Sequence, residues 1–204
     1  MADHSETGQS RSVRLAIADP PYPPFVGAGG VKPRASRWYG DAPLSATDRP
    51  ADVHVDASEW DDPARHRRLL SDLLNGYDGF AIATTPDGIA AYGPLPPGLR
   101  IMAWVKPNGV PGAHRLRSCW EPVLLYPPAD RRSNRGGVGM VPDVLTANKP
   151  GEFIGAKPHA WTWWVLDALS YREGDEVDDL FPGSGRVAAA MNAPRLFTNR
   201  EVVA

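Results

Sequence analysis

An apolar run with β-branched members at residues 13–18 (VRLAIA), stopped by Asp19 and two prolines, predicts a strand that ends in a loop. Runs of the same kind predict strands over 79–85 (GFAIATT), 100–106 (RIMAWVK), 119–126 (CWEPVLLY) and 175–181 (DEVDDLF). Pro122 has no N–H for a ladder, which argues for an edge position or a bulge in the fourth of these. Cys119 and Trp120 belong to the same apolar run and are expected in the core. Helical spacing falls elsewhere. Ser58 opens a helix with Glu59, Asp61 and Asp62 in its first turn; Leu69, Leu70, Leu73 and Leu74 follow in register, and Asn75-Gly76 closes it. Residues 158–169 predict a second helix with Pro158 in its first turn, and Gly183-Ser184-Gly185 opens a third through Ala190. Residues 23–57 and 127–156 carry no periodicity and read as long loops. Strands alternating with helices or long crossovers predict an α/β fold on a mostly parallel sheet.

Length adds that one domain, over 13–204, accounts for most of the 204 residues, with 1–12 as a polar, disordered leader. The single cysteine excludes an internal disulfide and multi-cysteine zinc sites, and the five histidines show no ligand spacing, so no metal is expected. No apolar run reaches membrane-spanning length and the N-terminus lacks a secretory pattern, which predicts a cytoplasmic protein. A net charge of −2 excludes a generically basic nucleic-acid coat but not an enzyme with local basic patches. Arginine outnumbers lysine 18 to 4. This composition hints at a GC-rich bacterial or phage genome. Arg34 and Arg37, and Arg131 with Arg132, are either solvated surface or phosphate contacts.

Two short motifs carry the chemistry. Asp19-Pro20-Pro21-Tyr22 follows the first strand, and Phe181-Pro182-Gly183-Ser184-Gly185 follows the last. Each sits beyond a strand's carboxyl end, where open α/β sheets bind ligands. Alone, each is also compatible with a plain turn. The second is not a phosphate-binding P-loop, since no Gly-Lys-Ser/Thr follows it.

Together the two motifs resemble those of the DNA amino-methyltransferases in which the catalytic motif precedes the cofactor motif. Asp19-Pro20-Pro21-Tyr22 matches the D-P-P-Y catalytic motif; Asp179 to Gly185 matches D-P-F-x-G-S-G, with Leu180 in place of the proline. Lys157-Pro158, a helix and Gly174-Asp175 resemble the segment that leads into the cofactor strand. The resemblance implies a Rossmann-like sheet, S-adenosylmethionine as cofactor, and methyl transfer to the exocyclic N6 of an adenine flipped from DNA. It implies that Asp19 and the Pro20 carbonyl accept the amine's two N–H bonds and turn its lone pair toward the methyl donor. Tyr22 would stack on the flipped base. Asp179, Phe181, Gly183, Ser184 and Gly185 would hold the cofactor, with Lys157 on its methionine carboxylate. Trp38, Tyr39, Arg34, Arg37, Arg131 and Arg132 are candidates for substrate contacts, and 127–156 for target recognition. Trp161, Trp163 and Trp164 are better explained by helix packing. Only 19 residues follow Gly185, so the sheet is expected to be short on the cofactor side, with residues 195–204 as one strand and Glu201 as a candidate ribose ligand. That leaves open a second subunit completing the pocket, a non-catalytic nucleic-acid binder, or action on RNA or cytosine N4.

Overall fold

The computed structural model describes residues 12–27, 30–40, 54, 56–108, 117–133, 139–151, 155–183 and 185–193. Residues 1–11, Ser184 and the expected strand at 195–204 with Glu201 lie outside them. The architecture is α/β. A six-stranded sheet contains β1 (Arg14–Ala18), β4 (Gly79–Ala83), β5 (Arg100–Val105), β6 (Trp120–Tyr126), β7 (Val144–Thr146) and β8 (Glu176–Asp179). A separate hairpin pairs β2 (Phe25–Gly27) with β3 (Gly30–Lys32). Among the described residues there are four α-helices: α1 (Ala35–Tyr39), α2 (Pro63–Gly76), α3 (His159–Ala168) and α4 (Arg186–Asn192).

The strand order is β7-β5-β6-β4-β1-β8, and β6 alone runs against the others. Alternate side chains of each strand feed two layers. Leu15 and Ile17 of β1 pack with Trp161, Trp164, Val165 and Leu166 of α3, and with partly buried Val187 of α4. Ala16 and Ala18 face the opposite layer, with Leu69, Leu70 and Leu73 of α2.

Pro63 moves the first long helix from its expected start. A helix from Ser58 would drive the Pro63 ring into a carbonyl of the preceding turn. The chain instead makes a 3-10 turn over Ala57–Asp61 and begins α2 at Pro63, where the missing N–H costs nothing; Asp62 caps it by accepting the Ala64 N–H at 2.9 Å. Asp61 turns elsewhere, accepting the N–H groups of Arg34, Ala35 and Ser36 and so capping the five-residue α1. The 23–57 segment therefore contains a hairpin and a helix that its own pattern does not announce.

Pro122 lies inside the sheet, opposite Ala103 of β5, and not at an edge. Its carbonyl accepts the Thr84 N–H at 3.1 Å, so the N–H it lacks would point to the side where β4 has already ended at Ala83. Cys119 is exposed and Trp120 only partly buried, because β6 starts beyond the covered part of the sheet. Trp161 and Trp164 are buried in the core, as helix packing requires.

Beneath α2, His66 is fully buried. Its Nε2 lies 2.9 Å from the Trp60 carbonyl, which can only accept, so Nε2 carries the proton and Nδ1 accepts the Tyr92 hydroxyl at 3.0 Å. Burial lowers its pKa below the ordinary histidine value and keeps it neutral. An unfolded histidine takes a proton near pH ~6.5, but this site resists it, so stability drains as pH falls below that value toward the folded pKa. His66→Gln is expected to flatten the fall in melting temperature as pH drops below about 6.5.

Candidate functional site

The two motifs meet because β1 and β8 are parallel neighbours. Ile17 is in register with Asp179, and the Leu180 N–H donates to the Ile17 carbonyl at 3.0 Å. Counting two residues on along each strand sets Asp19 level with Phe181, one strand apart. The chain leaves β1 toward β4 on one side and returns at β8 on the other, so this gap is the point where the strand order reverses. A cavity of about 500 Å³ opens there. Asp19 and Pro21 line it from the first motif, Asp179 to Gly183 from the second, and Tyr39, His54, Trp161, Thr162 and Arg186 from the helical layers and their connections. That volume lies within the roughly 300–1,000 Å³ of small-molecule sites.

After β8, Gly183 (φ +43°) and Gly185 (φ +71°) adopt left-handed backbone that favours glycine and turns the chain into α4. Phe181 is held from the other layer: its ring meets Trp60 edge-on at 5.1 Å and His54 at 6.1 Å. Asp179 is half-buried and desolvation raises its pKa, while its carboxylate accepts the Phe181 N–H at 3.4 Å. An apolar ring, a carboxylate and glycine backbone around one cavity suit a nucleoside-like group. The residues fit that expectation, with Ser184 outside the described part.

Lys157 does something other than expected. Its ammonium donates to Asp19 Oδ2 (2.7 Å), the Tyr22 hydroxyl (3.0 Å) and the Gly155 carbonyl (2.9 Å), among the rings of Tyr22, Trp104 and Trp161. Three N–H groups have three protein acceptors, so a cofactor carboxylate would have to displace one of them. Lys157 holds the catalytic-motif carboxylate instead. Tyr22 is likewise buried and its hydroxyl donates to Glu121 Oε2 at 2.9 Å, which leaves no free ring face for a flipped base. Tyr39, which does line the cavity, is better placed for stacking. Pro20, the next residue in the same turn, is buried.

Sequence reasoning missed Glu121 and Lys106. The reversed β6 begins where its neighbours finish, so Glu121 and the residue just past β5 reach the motif end of the sheet. The Lys106 ammonium lies 2.5 Å from Glu121 Oε1, and Lys157 is 3.7 Å from Oε2. Both ammonium groups act on Glu121, whose pKa falls below the carboxylate range despite the opposing cost of burial. Burial pushes the Asp19 carboxyl up, with Lys157 pulling the other way; burial likewise raises the Tyr22 hydroxyl well above a free phenol. Desolvation alone would lower Lys157, but Asp19 and Glu121 outweigh it and hold the ammonium charged. The available signal was Lys106 at the end of one apolar strand run and Glu121 near the start of another.

The arginines divide. Arg34 is tied to Asp87 at 2.9 Å and Thr85 at 2.7 Å, and Arg131 is buried against Asp175. The Arg131 guanidinium is buried and cannot meet a phosphate, whereas Arg34 is partly exposed with its charge paired to Asp87. Arg37, over the Trp38 ring at 5.3 Å, and Arg132, over Tyr126 at 4.7 Å, are exposed. Part of the expected recognition segment is also sheet: β7 lies parallel to β5 at an edge, and Asn108 exchanges two hydrogen bonds with Lys149.

Among the described residues no group of three or more His, Cys, Asp or Glu side chains could hold a metal ion, and no helix is long and apolar enough to cross a membrane. No protein-family model matches the chain, and comparison with curated proteins finds no similar sequence.

Proposed function

We propose that the chain is an S-adenosylmethionine-dependent methyltransferase acting on the exocyclic N6 amine of adenine in DNA, on a Rossmann-like methyltransferase sheet. The observation that carries this reading is the Ile17–Asp179 register, which sets both motifs on one cavity at adjacent strand ends. When bound, the cofactor supplies an electrophilic methyl group. Everything else is asked of the chain.

Asp19, part-exposed at 28% of its side chain and lining the cavity, accepts an amine N–H and stabilises positive charge growing on nitrogen. The Pro20 carbonyl, next in the turn, accepts the second. Phe181, Asp179 and the glycine turn hold the nucleoside end, and Tyr39 offers a ring for the target base. Of the four candidate arginines, Arg37 and Arg132 are the exposed ones, available to the phosphate backbone.

Calorimetric titration with S-adenosylmethionine tests the cofactor half. Micromolar binding is expected for the wild type. Gly183→Val should lose it by at least about tenfold, because a branched side chain is strained at that backbone angle, by ~1–2 kcal/mol, and intrudes on the cavity. Unchanged affinity in that variant removes the cofactor assignment. Transfer of a labelled methyl group to oligonucleotides containing adenine, cytosine or ribonucleotides then identifies the acceptor. A second reading, a non-catalytic nucleic-acid binder, is favoured by one observation, the Lys157 ammonium held on Asp19. It predicts salt-sensitive DNA binding without methyl transfer.

A further inference from the structure

We infer that Glu121, with Lys106 as its counter-charge, is a positioning residue for the catalytic loop, acting on Asp19 through Tyr22 and Lys157. The kinetic part rests on the methyl-transfer reading of Asp19; the geometry does not.

The contacts form one continuous chain. Lys106 donates to Glu121 Oε1 at 2.5 Å, Tyr22 donates to Glu121 Oε2 at 2.9 Å, Lys157 donates to Tyr22 at 3.0 Å and to Asp19 Oδ2 at 2.7 Å. Each Glu121 oxygen has a separate duty. Were the Lys106–Glu121 pair only a structural bridge, Oε2 would have no reason to turn toward the catalytic loop. Four chain positions far apart in sequence converge here: the β1 loop, the end of β5, the start of β6 and the approach to α3.

The charges balance as well. Lys106 and Lys157 face Asp19 and Glu121, two of each sign, all at most 28% exposed. Tyr39, Tyr92 and Asp179 are the other titratable groups acting on this cluster. Burying two ion pairs adds little net stability, since desolvation offsets most of the attraction. What the arrangement supplies is position and local potential. The Tyr22 ring and its hydroxyl act as a strut that holds the Lys157 ammonium on one carboxylate oxygen of Asp19.

Paired charge deletions test this. Glu121→Gln keeps the shape and an acceptor for Tyr22 but leaves excess positive charge around Asp19. Lys106→Met leaves excess negative charge. The titration midpoint of Asp19 is read by carboxyl-carbon NMR and assigned by its loss in Asp19→Asn. It should fall by roughly 0.5–1 pH unit in Glu121→Gln and rise by a smaller amount in Lys106→Met. The double variant should return it to near the wild-type value. In the same series kcat should fall about tenfold or more in Glu121→Gln, with KM for S-adenosylmethionine within about twofold, and its acid limb should follow the NMR midpoint.

A pair that does not act on the Asp19 carboxylate would change melting temperature and leave both the midpoint and kcat in place. Midpoints unmoved in folded single variants, or moved in the same direction by both, overturn the inference. The NMR arm needs no turnover. Absence of methyl transfer with opposite shifts therefore discards the functional reading and keeps the inference, whereas methyl transfer without the shifts does the reverse. If one single variant fails to fold, the other single variant and the charge-balanced double carry the comparison.

Discussion

On the proposed mechanism, Asp19→Ala is expected to lower kcat for methyl transfer by about 10³-fold or more, while affinity for S-adenosylmethionine changes by less than about twofold. This is the largest functional effect expected of any single substitution, because in the proposed reaction this carboxylate would meet the charge that grows on nitrogen. Removing one preorganised electrostatic partner costs enzymes roughly 10²–10³ in turnover, and here the partner also orients the nucleophile. Asp19→Asn, which keeps the shape and an acceptor oxygen, should fall between alanine and wild type. The pH profile gives a second check. Burial holds the Asp19 carboxyl above the ordinary carboxylate range. Turnover requires the ionised form, so it is complete above that raised value and lost as pH falls through it. The acid limb should lie above pH ~4, where a free aspartate titrates. Rapid-quench measurement of the methyl-transfer step across pH reads both effects, and wild-type turnover in Asp19→Ala would defeat the mechanism.

Arg131→Ala is expected to have the largest effect on stability. The Arg131 guanidinium and the Asp175 carboxylate are each 2% exposed and pair through both nitrogens, at 2.5 and 2.9 Å. Asp175 also accepts the backbone N–H groups of Val13 and Arg172, and Arg131 donates to the Ser170 carbonyl. One ion pair thus fastens the amino ends of β1 and β8 to the turn after α3. Leaving Asp175 buried and unpaired costs about 3–5 kcal/mol. For a chain of this size that lowers the melting temperature by roughly 6–20 °C. The Arg131→Met, Asp175→Leu double variant should recover only part of the loss: the apolar pair removes the buried charges, but leucine cannot accept the Val13 and Arg172 N–H groups that Asp175 holds. The same pair lowers the Asp175 pKa, so its contribution is complete above an unfolded aspartate's pKa near ~3.9 and fades as pH falls through the folded value. Differential scanning calorimetry at neutral pH checks the first claim, and a change of under about 1 kcal/mol would refute it.

These two residues mark how far sequence reasoning reached. The motif at Asp19 was legible because an apolar run ending in Asp-Pro-Pro states both its strand and its stop. The leucines of α2 and the tryptophans of α3 were legible for the same reason: burial imposes a period. Arg131 was misjudged because its partner is 44 residues away, and a buried guanidinium looks the same in sequence as a solvated one. Lys157 and Tyr22 were assigned to ligands, whereas both are consumed by contacts to other parts of the chain. The five-residue α1 has no periodicity of its own; Asp61, 26 residues from Ala35, supplies its cap. Pro122 was judged by its missing donor alone, although the strand that would have needed that donor ends one residue earlier. In each case the deciding partner came from a distant element.

The pairing of β1 with β8 carries one more consequence. The two motif-bearing loops rise from strands tied together by backbone hydrogen bonds, so their spacing is a gauge set by the ~4.8 Å pitch of a sheet and not by closure of separate lobes. Such a gauge tolerates wide variation in the surrounding loops, because what they contact cannot alter it. It tolerates no slip of one strand against the other. Selection for a new target would therefore act on the surface loops and leave the two strands untouched.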